Sequence, residues 1–337
     1  MRIALLGCKG TTWDLLNSIV SQRSFSLDYV ITLPRRLADA NSVAFYKGEE
    51  ITSYCRKHDI PTYVVRSYHL KRAEDLQFFK KAGIDLLLVM GWERLIPAEV
   101  LGTLGKFACG MHGSPYGLPK GRGRSPLNWS IITGHKRFVT CLFRYDEAMD
   151  AGNIIGFKVF EINVFDTIAS LHAKNRIAMH QLLQTYMPLI QSGEVASWPQ
   201  PPEKPTYYPK RSPDDGGIDW SQSTNEIYNL VRAVAPPYPA AYCYHNETKM
   251  LILEAHPFDS ALFDSGVSPG TVVDVSVALE QFAVKTVDGA LLVKKFSPLR
   301  IDDLHVGHCL RGVDHNDILQ QIISRYPPHL AEDEKEV

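Results

Sequence analysis

No stretch of the 337 residues comes near the roughly 20 consecutive apolar residues that a spanning helix needs. A membrane is therefore not an expected partner. Charge of one sign is lacking too. Lys and Arg number 36, Asp and Glu 37, and the formal net charge is -1. Without a basic excess there is no overall field to gather phosphate backbones, so nucleic acid is not an expected partner either. Cysteine is sparse. The six (Cys8, Cys55, Cys109, Cys141, Cys243, Cys309) are scattered with no C-x-x-C pair, which argues against a disulfide frame and against a zinc site, so no metal is expected. The glycines at 7 and 10 do not make a G-x-G-x-x-G, and a nicotinamide dinucleotide is not expected. The opening MRIALLGCKG is broken by glycine too soon for a signal peptide, and the expected location is the cytoplasm.

What is present is an ordinary globular composition, 45% hydrophobic and 22% charged, over a length that suggests two domains. Arg2 to Leu6 reads as a strand, Gly7 to Gly10 as a turn and Thr12 to Val20 as a helix. That is the opening of an α/β sheet. Strands follow at 27–33, 61–65, 84–90 and 107–111, with helices at 49–58 and 73–82 between them. Residues 34–45 read as polar and irregular. The run IDLLLVM (84–90) has no polar alternation, as befits a parallel strand covered on both faces. A helix is expected over 128–133, strands over 138–145 and 154–160, and a long helix from a cap at Asp166 or Thr167 to Ser192. The apolar side of that helix is read as Ile168, Leu171, Ile177, Leu182 and Leu183, and Gly193 as its stop. Prolines at 199, 201, 202, 205 and 209 mark 196–209 as a linker. A helix over 223–233 and then short strands with turns, from 241 to 296, suggest a small barrel. The acidic close EDEKEV reads as a frayed tail.

The densest chemistry lies in GMHGSPYGLPKGRG (110–123). Its glycines let the backbone turn sharply or approach a ligand, and His112 can move a proton near neutral pH. The loop also carries Ser114 and Arg122, with Arg124 just beyond. These arginines in a glycine setting suit a phosphate contact, and Lys210 and Arg211 in the second half are read the same way. Met90, Gly91 and Trp92 stand at the carboxyl end of an inner strand, where open α/β sheets bind ligands. Taken alone, Asp150 in YDEAMDAGNI reads as a turn residue.

The stretches LLLVMGWERLIP (86–97), the His112–Gly123 loop with SPLNWSIITG, YDEAMDAGNI, YPKRSPDDGGIDW and NLVRAVAPPYPAAY run in order through the chain. Together they resemble the folate-dependent formyltransferase family, the methionyl-tRNA formyltransferase-like group. The resemblance implies an α/β fold. A Rossmann-like, mostly parallel catalytic domain would occupy residues 1–195, and a small OB-like β-barrel residues 210–325. It implies transfer of a formyl group from N10-formyltetrahydrofolate to an amine. His112 and Asp150 would be catalytic, with Ser114 beside them. The folate would be held at Met90, Gly91 and Trp92 and by the loop of Asp146, Met149 and Asp150. The substrate would meet Arg122, Arg124, Lys210 and Arg211. One departure stands out. The family's asparagine two residues before the histidine is Gly110 here, so Asn128, Asn153 or a backbone N–H of the 114–118 loop is expected to replace it.

Three acceptors compete. The segment LPRRLADANSVAFYKGEEIT, where methionyl-tRNA enzymes often carry a basic insertion, has two adjacent arginines and soon turns acidic. Glycinamide ribonucleotide enzymes usually have one domain. The chain is most similar to nucleotide-sugar N-formyltransferases of surface-polysaccharide or flagellin pathways, such as the pseudaminic acid type. The expected partners are thus a nucleotide-linked amino sugar and, through the second domain, a second copy of the chain. The alternatives are methionyl-tRNA formylation and a non-catalytic protein that binds folate or a nucleotide sugar.

Overall fold

The computed structural model describes residues 1–325. The acidic tail read at the carboxyl end lies outside the described residues. The chain forms two compact units. The first comprises Met1–Gly113, Val139–Val159 and Arg176–Glu203. The second comprises Ser114–Phe138, Phe160–Asn175 and the chain from Lys204 onward. The expected linear boundary near residue 196 is therefore not where the units part. Three strands and the long helix each pass through both.

The strands, in chain order, begin with β1 (Ile3–Leu6), β2 (Tyr29–Thr32), β3 (Thr62–Val64), β4 (Leu86–Val89) and β5 (Phe107–Ser114). A short β6 (Arg122–Gly123) precedes β7 (Arg137–Arg144) and β8 (Ile154–Glu161). Seven of them make one sheet in the order β3-β2-β1-β4-β5-β7-β8. The pairings from β3 through β5 are parallel. All four residues of β1 and all four of β4 are buried. The pleat explains how. Leu5, Leu86, Leu88 and Cys109 join one apolar cluster, while Ala4, Leu6, Leu87, Val89 and Ala108 join another, so both faces are covered.

Local signals place several helices. Gly10–Gln22 follows the first glycine turn, Ala73–Ala82 opens with Glu74 and Asp75 and closes on Lys80 and Lys81, and Ile168–Ser192 ends just before Gly193. Asp75 is fully buried and accepts from the Tyr63 hydroxyl (2.8 Å) and from the N–H groups of Arg66 (2.8 Å) and Ser67 (2.9 Å). It ties that helix start to the end of β3. Two local readings fail. Residues 35–40, expected to be irregular, form a short helix that buries Ala38 in the core. Ile177, expected on the apolar side of the long helix, is 49% exposed.

The second unit contains β9 (Tyr207–Tyr208), β10 (Ala241–His245), β11 (Thr248–Phe258), β12 (Val272–Ser276), β13 (Gln281–Lys285), β14 (Ala290–Ser297) and β15 (Leu310–Arg311). Six of these form an antiparallel sheet in the order β12-β13-β14-β11-β10-β15. The sheet curls until its two ends meet. Val272 N–H donates to the His308 carbonyl and Leu310 N–H to that of Gly270, both at 2.8 Å. Closing the ends removes open edges, the physical reason that small barrels are stable. The helix Thr224–Val234, capped by Ser223 with Glu226 reciprocating, packs Ile227, Leu230 and Val231 against Ile252, Phe282, Leu291 and Val293.

The proline-rich stretch is ordered at both ends. Trp198 exchanges backbone hydrogen bonds with Ile154 in the first unit, and β9 pairs with β6 in the second.

Candidate functional site

In the first unit the chain runs from β1 outward to β2 and β3, then returns to β4 on the other side of β1. The order reverses between β1 and β4, and such a switch point opens a crevice at the carboxyl ends of the strands. Met90, Gly91 and Trp92 stand there, as the sequence suggested. The Thr12 hydroxyl donates to the Met90 carbonyl. Gly91 takes φ +70°, and a Cβ on it would lie 2.7 Å from both the Thr11 and Thr12 hydroxyl oxygens. Only glycine fits so close an approach without strain. Trp92 is 6% exposed and meets the Tyr68 ring edge-on at 4.7 Å. Its ring is thus core packing, while its indole N–H is buried with no hydrogen-bond partner.

Next along the sheet, β5 carries the histidine. Cys109 and Met111 point into one core and Ala108 into the other. By the two-residue period, Gly110 and His112 share the Ala108 face. His112 Nδ1 stands 3.5 Å from an Asp150 carboxylate oxygen. The two side chains are 10% and 19% exposed, shielded enough for the pair to interact strongly yet open to a ligand. Asp150 sits in the left-handed region at φ +49°, which Asp tolerates better than most residues. Its loop is tied down by Gln200, whose side-chain amide donates to the carbonyls of Asp150 (2.6 Å) and Gly152 (3.0 Å). Gly152 itself is pressed against the Arg144 carbonyl, where no Cβ would fit. Asp146 is exposed and Met149 half-buried on the same loop.

Tyr145 begins that loop. Its N–H donates to the Ala108 carbonyl at 2.8 Å. Its ring lies over Gly110, with ring carbon Cε2 2.4 Å from where a Cβ on that glycine would be. Burial first, and then the Asp150 charge, push its hydroxyl well above the ordinary tyrosine range, so it keeps its proton.

The remaining expected residues belong to the second unit. Ser114 is fully buried, donates to the Lys120 carbonyl (2.6 Å) and accepts from the Gly117 N–H (2.9 Å). These bonds shape its loop. Arg122 is buried beside the Tyr207 hydroxyl at 3.4 Å, and Arg124 bonds through its backbone to the Tyr208 carbonyl. Arg211 lies over the Trp129 ring at 4.7 Å and donates to the Asp215 carbonyl at 2.7 Å. Burial lowers its guanidinium to about 10. Lys210 is exposed. Two of the expected stand-ins for asparagine are engaged elsewhere. The Asn128 amide donates to the Ala233 carbonyl at 2.8 Å, the Gly117 N–H is held by Ser114, and Asn153 is exposed.

The sequence reading missed Gln200 and Tyr145. Gln200 hid in a proline-rich stretch read as a linker. The signal for Tyr145 was a pairing of positions, a glycine at 110 with an aromatic residue 35 positions on, which means something only once β5 and β7 are neighbours. Among the described residues no cluster of His, Cys, Asp and Glu could hold a metal ion.

An imidazole beside a carboxylate at the carboxyl end of a mostly parallel sheet has the parts for acid–base chemistry. The family model described as "Formyl transferase" matches residues 27–187, and the one described as "Formyl transferase, C-terminal domain" matches 210–312. The chain belongs to the formyl transferase family and is an enzyme of that class.

Solved structures share the fold at low identity. An N-formyltransferase from Helicobacter canadensis, in complex with folinic acid and dTDP-3-aminofucose, is 15% identical with a TM-score of 0.63. The match covers 88% of this chain and 100% of that one. WlaRD, a sugar 3N-formyl transferase solved in the presence of dTDP and 5-N-formyl-THF, is 17% identical, again with a TM-score of 0.63, over 89% and 99%. HypX from Aquifex aeolicus, in complex with tetrahydrofolic acid, is 18% identical with a TM-score of 0.57. That match takes in 100% of this chain and 48% of that longer one.

Proposed function

We propose that this protein transfers a formyl group from N10-formyltetrahydrofolate to the amino group of a nucleotide-linked amino sugar. The observation that carries the transfer is the shielded His112–Asp150 pair, 3.5 Å apart on a formyl transferase framework. The sugar rests on the likeness in fold to enzymes solved with dTDP or a dTDP-amino sugar, and on the weak basic character of residues 33–52 where tRNA would need positive charge.

The residues present fit a folate. The Met90 carbonyl accepts from the Thr12 hydroxyl and keeps a second lone pair, while the Gly91 carbonyl accepts from both the N–H and the thiol of Cys8. The buried Trp92 indole N–H has no protein partner, and Asp146 and Met149 flank the loop that brings Asp150 to His112. The donor supplies an activated formyl carbon. Asp150 holds the Nδ1 side of the imidazole, which aims Nε2 away from the carboxylate. From there His112 can take a proton from the attacking amine or hydrogen-bond the formyl oxygen. Gln200 keeps the Asp150 backbone from drifting. Arg122 and Arg124 are the proposed phosphate contacts, and the exposed Lys210 is a third.

The test is to incubate the protein with N10-formyltetrahydrofolate and a panel of UDP-, dTDP- and CMP-linked amino sugars, with methionyl-tRNA as a separate arm. Tetrahydrofolate release and the mass of the product are read. The expected result is one formylated sugar and no product with His112→Ala. Formylated methionyl-tRNA alone would replace the acceptor. No turnover in any arm, with folate still bound, would leave a binding protein and end the catalytic reading.

A further inference from the structure

The formyl group passes without any change of oxidation state. The amine lone pair forms a new bond to the formyl carbon, and the carbonyl π pair moves onto oxygen. That pair then returns, the bond to folate N10 breaks, the amine loses a proton and N10 gains one. The oxygen is negative in between, and its stabilisation by placed neutral donors is usually the largest catalytic contribution in acyl transfer. His112 is one group within reach of that chemistry. Of the other polar groups first expected to help, Asn128 is spent on Ala233 and the Gly117 N–H on Ser114, while Asn153 is exposed.

On the β5 face that carries His112, the Tyr145 phenol is brought in. Gly110 precedes the histidine by one full pleat, so the space over Gly110 adjoins the imidazole. That space is filled by the Tyr145 ring. A Cβ at 110 would lie 2.4 Å from Tyr145 Cε2 and 3.2 Å from Cζ, the carbon that bears the hydroxyl. The missing side chain at 110 is thus the room that the phenol uses. The backbone fixes the ring there, since Tyr145 N–H pairs with the Ala108 carbonyl and Phe143 stacks on the ring at 5.4 Å.

We propose that the Tyr145 hydroxyl is the second hydrogen-bond donor to the formyl oxygen, beside His112. The inference rests on the formyl-transfer reading above. Tyr145 gives no proton away. It donates a hydrogen bond that strengthens as the oxygen becomes negative and weakens as the C–N10 bond breaks. The same burial and Asp150 charge that hold its proton in place keep it a donor throughout the working pH range. Glycine at 110 and tyrosine at 145 are then two halves of one device, because any larger side chain at 110 would expel the ring.

Tyr145→Phe tests this, since it keeps the ring and removes only the oxygen. Turnover of the formylated acceptor is expected to fall about 10²-fold, with KM for the folate within about twofold. A second readout needs no turnover. With N10-formyl-5,8-dideazafolate bearing a ¹³C-labelled formyl group as the probe, isotope-edited infrared spectroscopy should place the bound carbonyl band at lower frequency in the wild type than in Tyr145→Phe. Thermal melting checks that the variant is folded. Unchanged turnover, or the same carbonyl band in both proteins, would overturn the role of Tyr145 while formyl transfer stood. A wild type that neither releases tetrahydrofolate nor binds the probe would remove the formyl-transfer reading itself, and this inference with it.

Discussion

In the proposed reaction His112 depends on what lies on either side of it. Asp150 orients one ring nitrogen, and the loop that carries Asp150 is held by Gln200 and by the fit of Gly152 against a carbonyl. His112→Ala is expected to cost the roughly 10²–10⁴-fold that acid–base groups contribute. Asp150→Asn should fall in the same range, and the double variant should be little worse than either single one, since the pair acts as a unit. Steady-state kinetics of the three proteins checks this, and additive losses would argue against coupling. Gly110 makes the opposite point. Gly110→Asn, which puts the family's asparagine back at this position, would press its Cβ to 2.4 Å from Tyr145 and 2.9 Å from the Val89 carbonyl. Overpacking of this kind costs about 1–3 kcal/mol. A lower melting temperature is therefore expected, with activity lost rather than gained.

At the scale of elements, the helix Thr224–Val234 shows how a start signal is completed from far away. Ser223 and Glu226 form a capping box within four residues of sequence. Asp288, from the turn between β13 and β14, also accepts from the Thr224 N–H and hydroxyl, each at 2.8 Å. The Thr224 N–H, counted first, holds the Asp288 carboxyl below its usual range, and the Ser223 hydroxyl does the same for Glu226. A carboxylate whose folded value is depressed adds stability above its unfolded value, and that contribution is lost as the pH falls through the folded one. With ordinary values near 3.9 and 4.3, the contribution should be complete at about pH 5 and should fade below about pH 4. The melting temperature of Asp288→Asn should therefore lie below that of the wild type at pH 7, and the gap should narrow by pH 3. A constant gap would mean that the charge plays no part. The β5 strand is a second case. The run read as 107–111 continues to Ser114, because Gly113 and Ser114 look like loop residues until a neighbouring strand gives them partners.

Across the whole chain, the thiols report how completely the two units bury their cores. Cys8, Cys55, Cys109, Cys141 and Cys243 are buried and Cys309 is exposed. Burial pushes the Cys8, Cys109 and Cys243 thiols up to about 12, where almost no thiolate exists near neutral pH. One thiol per chain should react with an aromatic disulfide reagent in the native protein, and six in denaturant. Fast reaction of a second native thiol would show that one of the cores opens readily. No helix among the described residues is long and apolar enough to cross a membrane.

Much was settled by local pattern. The unbroken apolar run of β4 called for a sheet covered on both faces, and Gly193 closed the long helix. Alternation and turn residues marked the strands after 241, and the glycine-rich motif at 110–123 singled out His112, whereas Asp150 alone read as a turn residue and gained a role only through the family resemblance. Those signals lie in short windows, where side-chain period and glycine or proline chemistry act without help from distant residues. Tertiary structure decided the rest. It drew Ala38 into a helix, sent Ile177 outward, gave the Ser114 hydroxyl its two partners within the loop, and tied the ends of the supposed linker by backbone pairing. It also set Tyr145 over Gly110. None of these could be read from one segment, because each depends on which strands become neighbours and on which face of the sheet a side chain is left.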